Sequence, residues 1–199
     1  MFKTTIKLET VKDNSAKIFE SLKRLKTLDV LVGIPQEKSS RKDKGINNVE
    51  LAFLHSKGFK SPKWAMFNAY KGRFESNKRK GKSLAAMQAY FMSKGDPYWH
   101  VPARPFLEPA IEANKEVLAK QQMKILKAAL AGNMDQAEIE ADKLGILASN
   151  YVKEWFTDPR NGWPPNHPLI VAIKGSDKPL IDTGALRAAI TYVLRKSNA

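Results

Sequence analysis

The residues that come nearest to a catalytic arrangement are Asp182, Thr183 and Gly184, within Leu180-Ile181-Asp182-Thr183-Gly184-Ala185, a turn of the kind that activates water for peptide hydrolysis. That chemistry needs two carboxylates sharing one proton, so a single copy could work only in a symmetric dimer. It also needs most of a sheet and a flap after the aspartate, whereas only 17 residues follow Asp182. The segment therefore reads as a tight turn: Asp182 or Thr183 caps a short helix over 185–189, and Gly184 supplies freedom at the bend.

Three histidines, His55, His100 and His167, are too scattered for a metal-ligand spacing, and each reads as a surface or interface residue. No glycine-rich phosphate loop, nucleophile elbow or Ser/His/Asp order is visible. An enzyme is left without residues to carry it, and no cofactor or metal is expected. The chain has no cysteine, which excludes disulfides and thiolate metal sites, leaves stability to packing and fits a cytosolic origin.

Charge is the stronger signal. A formal net charge of +14 over 199 residues predicts attraction to polyanions, either nucleic acid or an acidic protein surface. The excess is concentrated: Lys57, Lys60, Lys63, Lys71, Arg73, Lys78, Arg79, Lys80 and Lys82 face a single acid, Glu75, over 57–82. Lys71, Arg73, Lys78, Arg79, Lys80 and Lys82 are the candidate contacts to nucleic acid or an acidic partner. The start of the chain alternates where a signal peptide would be continuously apolar, and no stretch approaches the roughly 18 apolar residues of a membrane span. A soluble protein with no membrane partner is expected.

The elements that must position these residues follow from periodicity. Phe2, Thr4, Ile6 and Leu8 alternate as a half-buried strand, and Ile18, Leu22 and Leu25 define a helix opened by Asn14 or Ser15. Leu28 to Ile34 reads as a central strand, and Asn47 or Asn48 caps a short helix that Gly58 stops. Residues 59–100 are basic, dotted with aromatics and broken by glycines; they read as an insertion, with a short helix over 83–92. Pro102-Ala103-Arg104-Pro105 is extended by its prolines. A helix from Phe106 to Gly132 and a second from Asp135, with Glu138 completing a capping box, form a hairpin. Ile190, Tyr192 and Leu194 alternate as a final strand. The fold class is α+β: a small, mainly antiparallel sheet on a long helical hairpin. Residues 1–58 and 101–199 make one core domain, and 59–100 the basic insertion.

Several short blocks then occur in a telling order: Val32-Gly33-Ile34-Pro35, Glu50 to His55 with Gly58, Pro102 to Leu107, Trp163 to Pro168, Lys174 to Leu186, and Ile190 to Val193. Over roughly half the chain this ordered set resembles the neck and tail-completion family of tailed bacteriophages. The resemblance implies an α+β structural subunit of the virion neck or tail, assembled in the host cytoplasm. It would sit in a ring between portal-side connectors and the tail-tube or tail-terminator proteins. Segment 59–100 exceeds the family's usual connection, so the resemblance assigns it no role; contact with packaged DNA or an acidic neighbour remains open, and a nucleic-acid-binding protein is the alternative reading. Where relatives offer Ser or Thr after the double proline, this chain has Asn166, which could cap the helix that follows.

Two expectations concern assembly. Arg104, held between prolines, is ready to pair bidentately with a carboxylate such as Glu50, Asp177 or Asp182, in the same or an adjacent subunit. A ring of six copies, or as second choice twelve, needs two different faces. Trp99 with Arg104, Pro105 and Phe106 offers one, and Trp163 with Asp182, Thr183 and Gly184 the other. Phe106 and Trp155 are the better candidates for the subunit's own core.

Overall fold

In the computed structural model, which describes residues 13–41, 46–76, 89, 92, 93 and 95–196, the repeat of Ile18, Leu22 and Leu25 lies on helix α1 (Ser15–Lys26). Strand β1 (Leu28–Gly33) follows, then α2 (Asn48–Lys57), β2 (Phe59–Pro62), α3 (Lys63–Ser76) and β3 (Tyr98–Val101). The second half holds α4 (Leu107–Ala113), α5 (Lys115–Leu130), α6 (Met134–Trp155), α7 (Pro168–Lys174), α8 (Ala185–Ala189) and β4 (Thr191–Lys196). The fold is α+β. The expected strand over 2–9 and helix over 83–92 fall outside the described residues, apart from Ala89, which is helical, and Met92, a turn.

The chain divides into two compact units: residues 13–31, 115–147 and 193–196 in the first, and the described residues of 32–114 and 148–192 in the second. In the first, α5 and α6 make the expected hairpin. Its turn is a helix-ending motif: Asn133 N–H donates to the Ala128 carbonyl at 3.0 Å and Gly132 N–H to Ala129 at 2.9 Å, with Gly132 at φ +73°. Leu118, Ile125, Ala129, Ala137, Ala141 and Leu144 are buried along the facing stripes. Among them the Glu140 carboxylate accepts from Gln121 at 2.8 Å, Gln136 at 2.9 Å and Lys143 at 2.7 Å, which satisfies a buried charge.

Two details of these helices depart from expectation. The cap of α6 is Asn133, whose side chain accepts from Gln136 N–H at 3.0 Å; the Asp135–Glu138 box does not form, because Glu138 is bound by Arg24 at 2.9 Å and Lys196 at 3.0 Å. The helix expected from Phe106 to Gly132 is also divided. Asn114 ends α4 by turning its own side chain back onto the Ala110 carbonyl at 2.8 Å, a local bond that competes with the helical ladder.

In the second unit, Asn47 and Glu50 cap α2 reciprocally: Asn47 accepts from Glu50 N–H at 2.9 Å and donates its own N–H to the Glu50 carboxylate at 3.1 Å. Gly58 ends the helix at φ +72°, where a Cβ would meet the Ala103 nitrogen at 2.7 Å and the Val101 carbonyl at 2.9 Å. Only glycine permits that approach. The two ends of segment 59–100 then close on each other, β2 pairing antiparallel with β3 so that Phe59 faces Val101 and Ser61 faces Trp99. Between them α3 buries Phe67 against Ile173 of α7. A larger core gathers Phe106, Ala110, Val152, Trp155, Phe156, Leu186 and Ile190, so Phe106 and Trp155 are core residues. Among the described residues, β1 pairs with β4.

Candidate functional site

The double proline, the Arg-Pro-Phe block and the Asp-Thr-Gly turn meet in the second unit around a cleft of about 660 Å³. Extension imposed by Pro102 and Pro105 leads the chain past the end of α2, where Arg104 N–H donates to the His55 carbonyl at 2.7 Å. The Arg104 side chain is 5% exposed. Its Nε and Nη2 donate to the Pro164 carbonyl at 3.2 and 2.9 Å, and Nη2 also to Pro165 at 3.1 Å. Within the chain, carbonyls take the place of the expected carboxylate. Two prolines in a row put neighbouring acceptors on a stiff backbone, which suits a planar fork.

Trp163 lies across the same junction, its Nε1 donating to the Pro105 carbonyl at 3.0 Å and its ring edge-on to Phe156 at 5.7 Å. Trp99 is half-buried on β3 and meets the exposed His167 ring edge-on at 5.0 Å. The two loops expected to present separate faces to neighbouring subunits therefore pack against each other within one chain. His167 also replaces Asn166 as the cap of α7, its Nδ1 accepting from Leu169 N–H at 3.2 Å. Asn166 instead donates to the Asp177 carbonyl at 2.9 Å, which binds the turn to the loop beyond α7.

Asp182 and Thr183 are exposed at the cleft, and Gly184, at φ +78°, starts α8. Thr183 Oγ1 lies 3.4 Å from Ala185 N–H, a long bond at the position foreseen for a cap. Just before this turn, Ile181 N–H donates to the Pro179 carbonyl at 2.7 Å around Leu180, which stands at φ +56°. A three-residue turn with positive φ at a leucine is strained, and such residues persist only where their surroundings hold them.

Electrostatically the cleft is positive. Arg41, Lys63, Arg104 and Lys174 line it, against one acid, Asp182. His55, expected at the surface, is mostly buried on the inner face of α2, while Phe53 on the same helix is 63% exposed. Burial, reinforced by the charges of Arg104, Lys174 and Arg41, lowers the His55 pKa to about 4, and its Nδ1 is buried without a hydrogen-bond partner among the described residues. Burial also lowers the Arg104 pKa, although a guanidinium stays charged at any ordinary pH. Among the described residues no group of three His, Asp or Glu is placed to hold a metal ion. No described helix is long and apolar enough to cross a membrane.

Sequence reasoning named Trp99, Arg104, Asp182, Thr183 and Gly184, and all five line this one cleft. Pro105 and Phe106 lie beneath it: Pro105 accepts from Trp163 and Phe106 is core. It missed His55, Arg41, Lys63 and Lys174. For His55 a signal existed, since it follows Leu51 by four residues and shares its inward face; Lys63 stood in the basic run over 57–82 and Lys174 at the head of a family-like block, and Arg41 left no signal. Of the basic set, Lys71 is exposed on α3 and Arg73 lies in the same helix, whereas Lys78, Arg79, Lys80 and Lys82 fall outside the described residues. No protein-family model, no curated protein and no solved structure matches the chain.

Proposed function

We propose that this chain is a structural subunit of the head–tail joint of a tailed bacteriophage, working as a ring of six, or as second choice twelve, copies. Its neighbours are the head connector on one side and the tail-tube or tail-terminator proteins on the other. One observation carries the reading. The blocks that resemble the neck and tail-completion family lie more than 130 residues apart in sequence, from Glu50 to Asp182, yet they converge on Arg104: α2 through His55, the double proline through Pro164 and Pro165, and the Asp-Thr-Gly turn through the shared cleft. Blocks that fold together in this way form one scaffold around Arg104.

A scaffold of this type needs no turnover, and the exposed Asp182 acts as a turn residue. Particle assembly tests the reading. Host cells producing every phage protein except this one should accumulate filled heads and separate tails, and joining should return when the chain is added to the extract. Normal, infectious particles made without it would refute the assignment. Contact with packaged DNA is the second reading, favoured by the +14 charge and its concentration over 57–82. A contact to five or six phosphates would give log K against log salt a slope near −5.

A further inference from the structure

Arg104 presents an incomplete electrostatic arrangement. It is 5% exposed, and all its side-chain hydrogen bonds among the described residues go to the neutral carbonyls of Pro164 and Pro165. Buried charges are ordinarily paired with an opposite charge, because removal from water is costly. The other cations lining the cleft, Arg41, Lys63 and Lys174, are of the same sign, and its one carboxylate, Asp182, is exposed. The missing component is an anion.

The shape of the cleft narrows the choice of anion. At about 660 Å³ it has the size of a pocket that takes a few side chains, and Leu51, Phe59, Met66, Ile170, Leu180 and Leu186 give it an apolar lining beneath the cations. A nucleic-acid backbone needs an extended charged track, whereas Arg41, Lys63, Arg104 and Lys174 surround one compact pocket. An apolar side chain flanked by carboxylates satisfies both parts. The strained turn at Leu180 is consistent with a rim held ready for an incoming group. The chain's own loops are poor donors: among the described residues, the connections at 36–41, 102–106, 156–167 and 175–184 contain no two acids within four residues of each other.

We propose that the cleft is a docking site for an acidic linear segment of another protein, an apolar anchor residue flanked by aspartates or glutamates. The anchor fills the pocket between α2, β3 and α7, and a flanking carboxylate supplies the counter-charge that Arg104 lacks. Because that guanidinium is fixed and shielded from water, it attracts a carboxylate more strongly than a solvated lysine could. The proposal goes beyond the ring assignment and holds equally for a monomer.

The test is fluorescence anisotropy on the full chain, using a fluorescein-labelled peptide Asp-Glu-Leu-Phe-Glu-Asp at about 0.15 M salt, where long-range attraction to the net charge is screened. Saturable binding is expected, weakened about tenfold or more when the acids are replaced by Asn and Gln, since each 1.4 kcal/mol is a factor of ten. Reversing two cleft cations, Lys63→Glu with Lys174→Glu, should weaken it at least as much. Reversing two lysines of the first unit, Lys120→Glu with Lys124→Glu, makes the same change in net charge and should leave binding within about twofold, because neither lysine lines the cleft. If the cleft double variant melts early, Lys63→Gln with Lys174→Gln replaces it with the same expectation. Three results would each overturn the proposal: no saturable binding, equal loss in the two double variants, or a ten-residue oligothymidylate that outcompetes the peptide and loses affinity with the cleft variant.

Discussion

Arg104→Ala is the sharpest perturbation of the fold at this site. The substitution removes three hydrogen bonds, at 2.9, 3.1 and 3.2 Å, from the carbonyls of Pro164 and Pro165. The bonds are part-buried, and hydrogen bonds to a charged group are worth about 1.5–3 kcal/mol. Against this, truncation also relieves the desolvation of the guanidinium, and no buried acid is stranded as it would be in a salt bridge. The expected net loss is therefore about 2–3 kcal/mol, below the 3–5 kcal/mol typical of a broken buried ion pair. For a chain of this length that corresponds to a fall in Tm of roughly 5–10 °C, measured by calorimetry or urea unfolding. Arg104→Lys keeps the charge but replaces a planar fork with a point donor, and should recover about half of the loss. An Arg104→Ala protein that melts within 1 °C of the parent, or an Arg104→Lys protein indistinguishable from it, would refute the reasoning.

Three other outcomes follow from the second unit. Because the folded His55 pKa is depressed to about 4, the unfolded chain alone binds that proton between pH 4 and 6.5. The contribution, on the order of 3 kcal/mol, is thus fully present above pH 6.5 and lost as pH falls through 4; His55→Leu should flatten this slope in urea titrations, and parallel curves would contradict it. Gly58→Ala places a Cβ 2.7 Å from the Ala103 nitrogen at φ +72° and should destabilise by more than about 2 kcal/mol; a neutral result in thermal melts would mean that the close approach is not maintained. Asp182→Asn, at an exposed turn, should change stability by less than about 1 kcal/mol. Pepstatin-sensitive peptide cleavage by the parent protein, abolished in this variant, would overturn its structural assignment.

Much of the scaffold is legible in the sequence because local rules write it. The Asn47–Glu50 box, the stop at Gly58, the turn at Gly132 and the buried stripe through Ala137, Ala141 and Leu144 each follow from residues within a few positions of one another. Asp135 looked like a cap on the same logic, but Glu138, its intended partner, is drawn to Arg24 and Lys196 from distant parts of the chain. Tertiary pairing won over local preference. Arg104 shows the same limit. Its prolines announce an organised arginine, whereas the choice of carbonyl over carboxylate depends on where the double proline arrives, 60 residues later. Burial of His55 is written in the helical period, yet the cations that share its cleft come from a loop, α3 and α7 and leave no mark in spacing.

A reconstruction of the native particle tests the assignment most directly. We expect this chain in a closed ring at the junction of head and tail, in six copies or, as second choice, twelve, with one surface of each subunit against a different surface of the next. Monomers in solution would be compatible with that arrangement, since a standard interface of about 800 Å² per partner can form only on meeting the tail end. A single copy in the particle, or absence from mature particles, would contradict both the ring and the place at the joint.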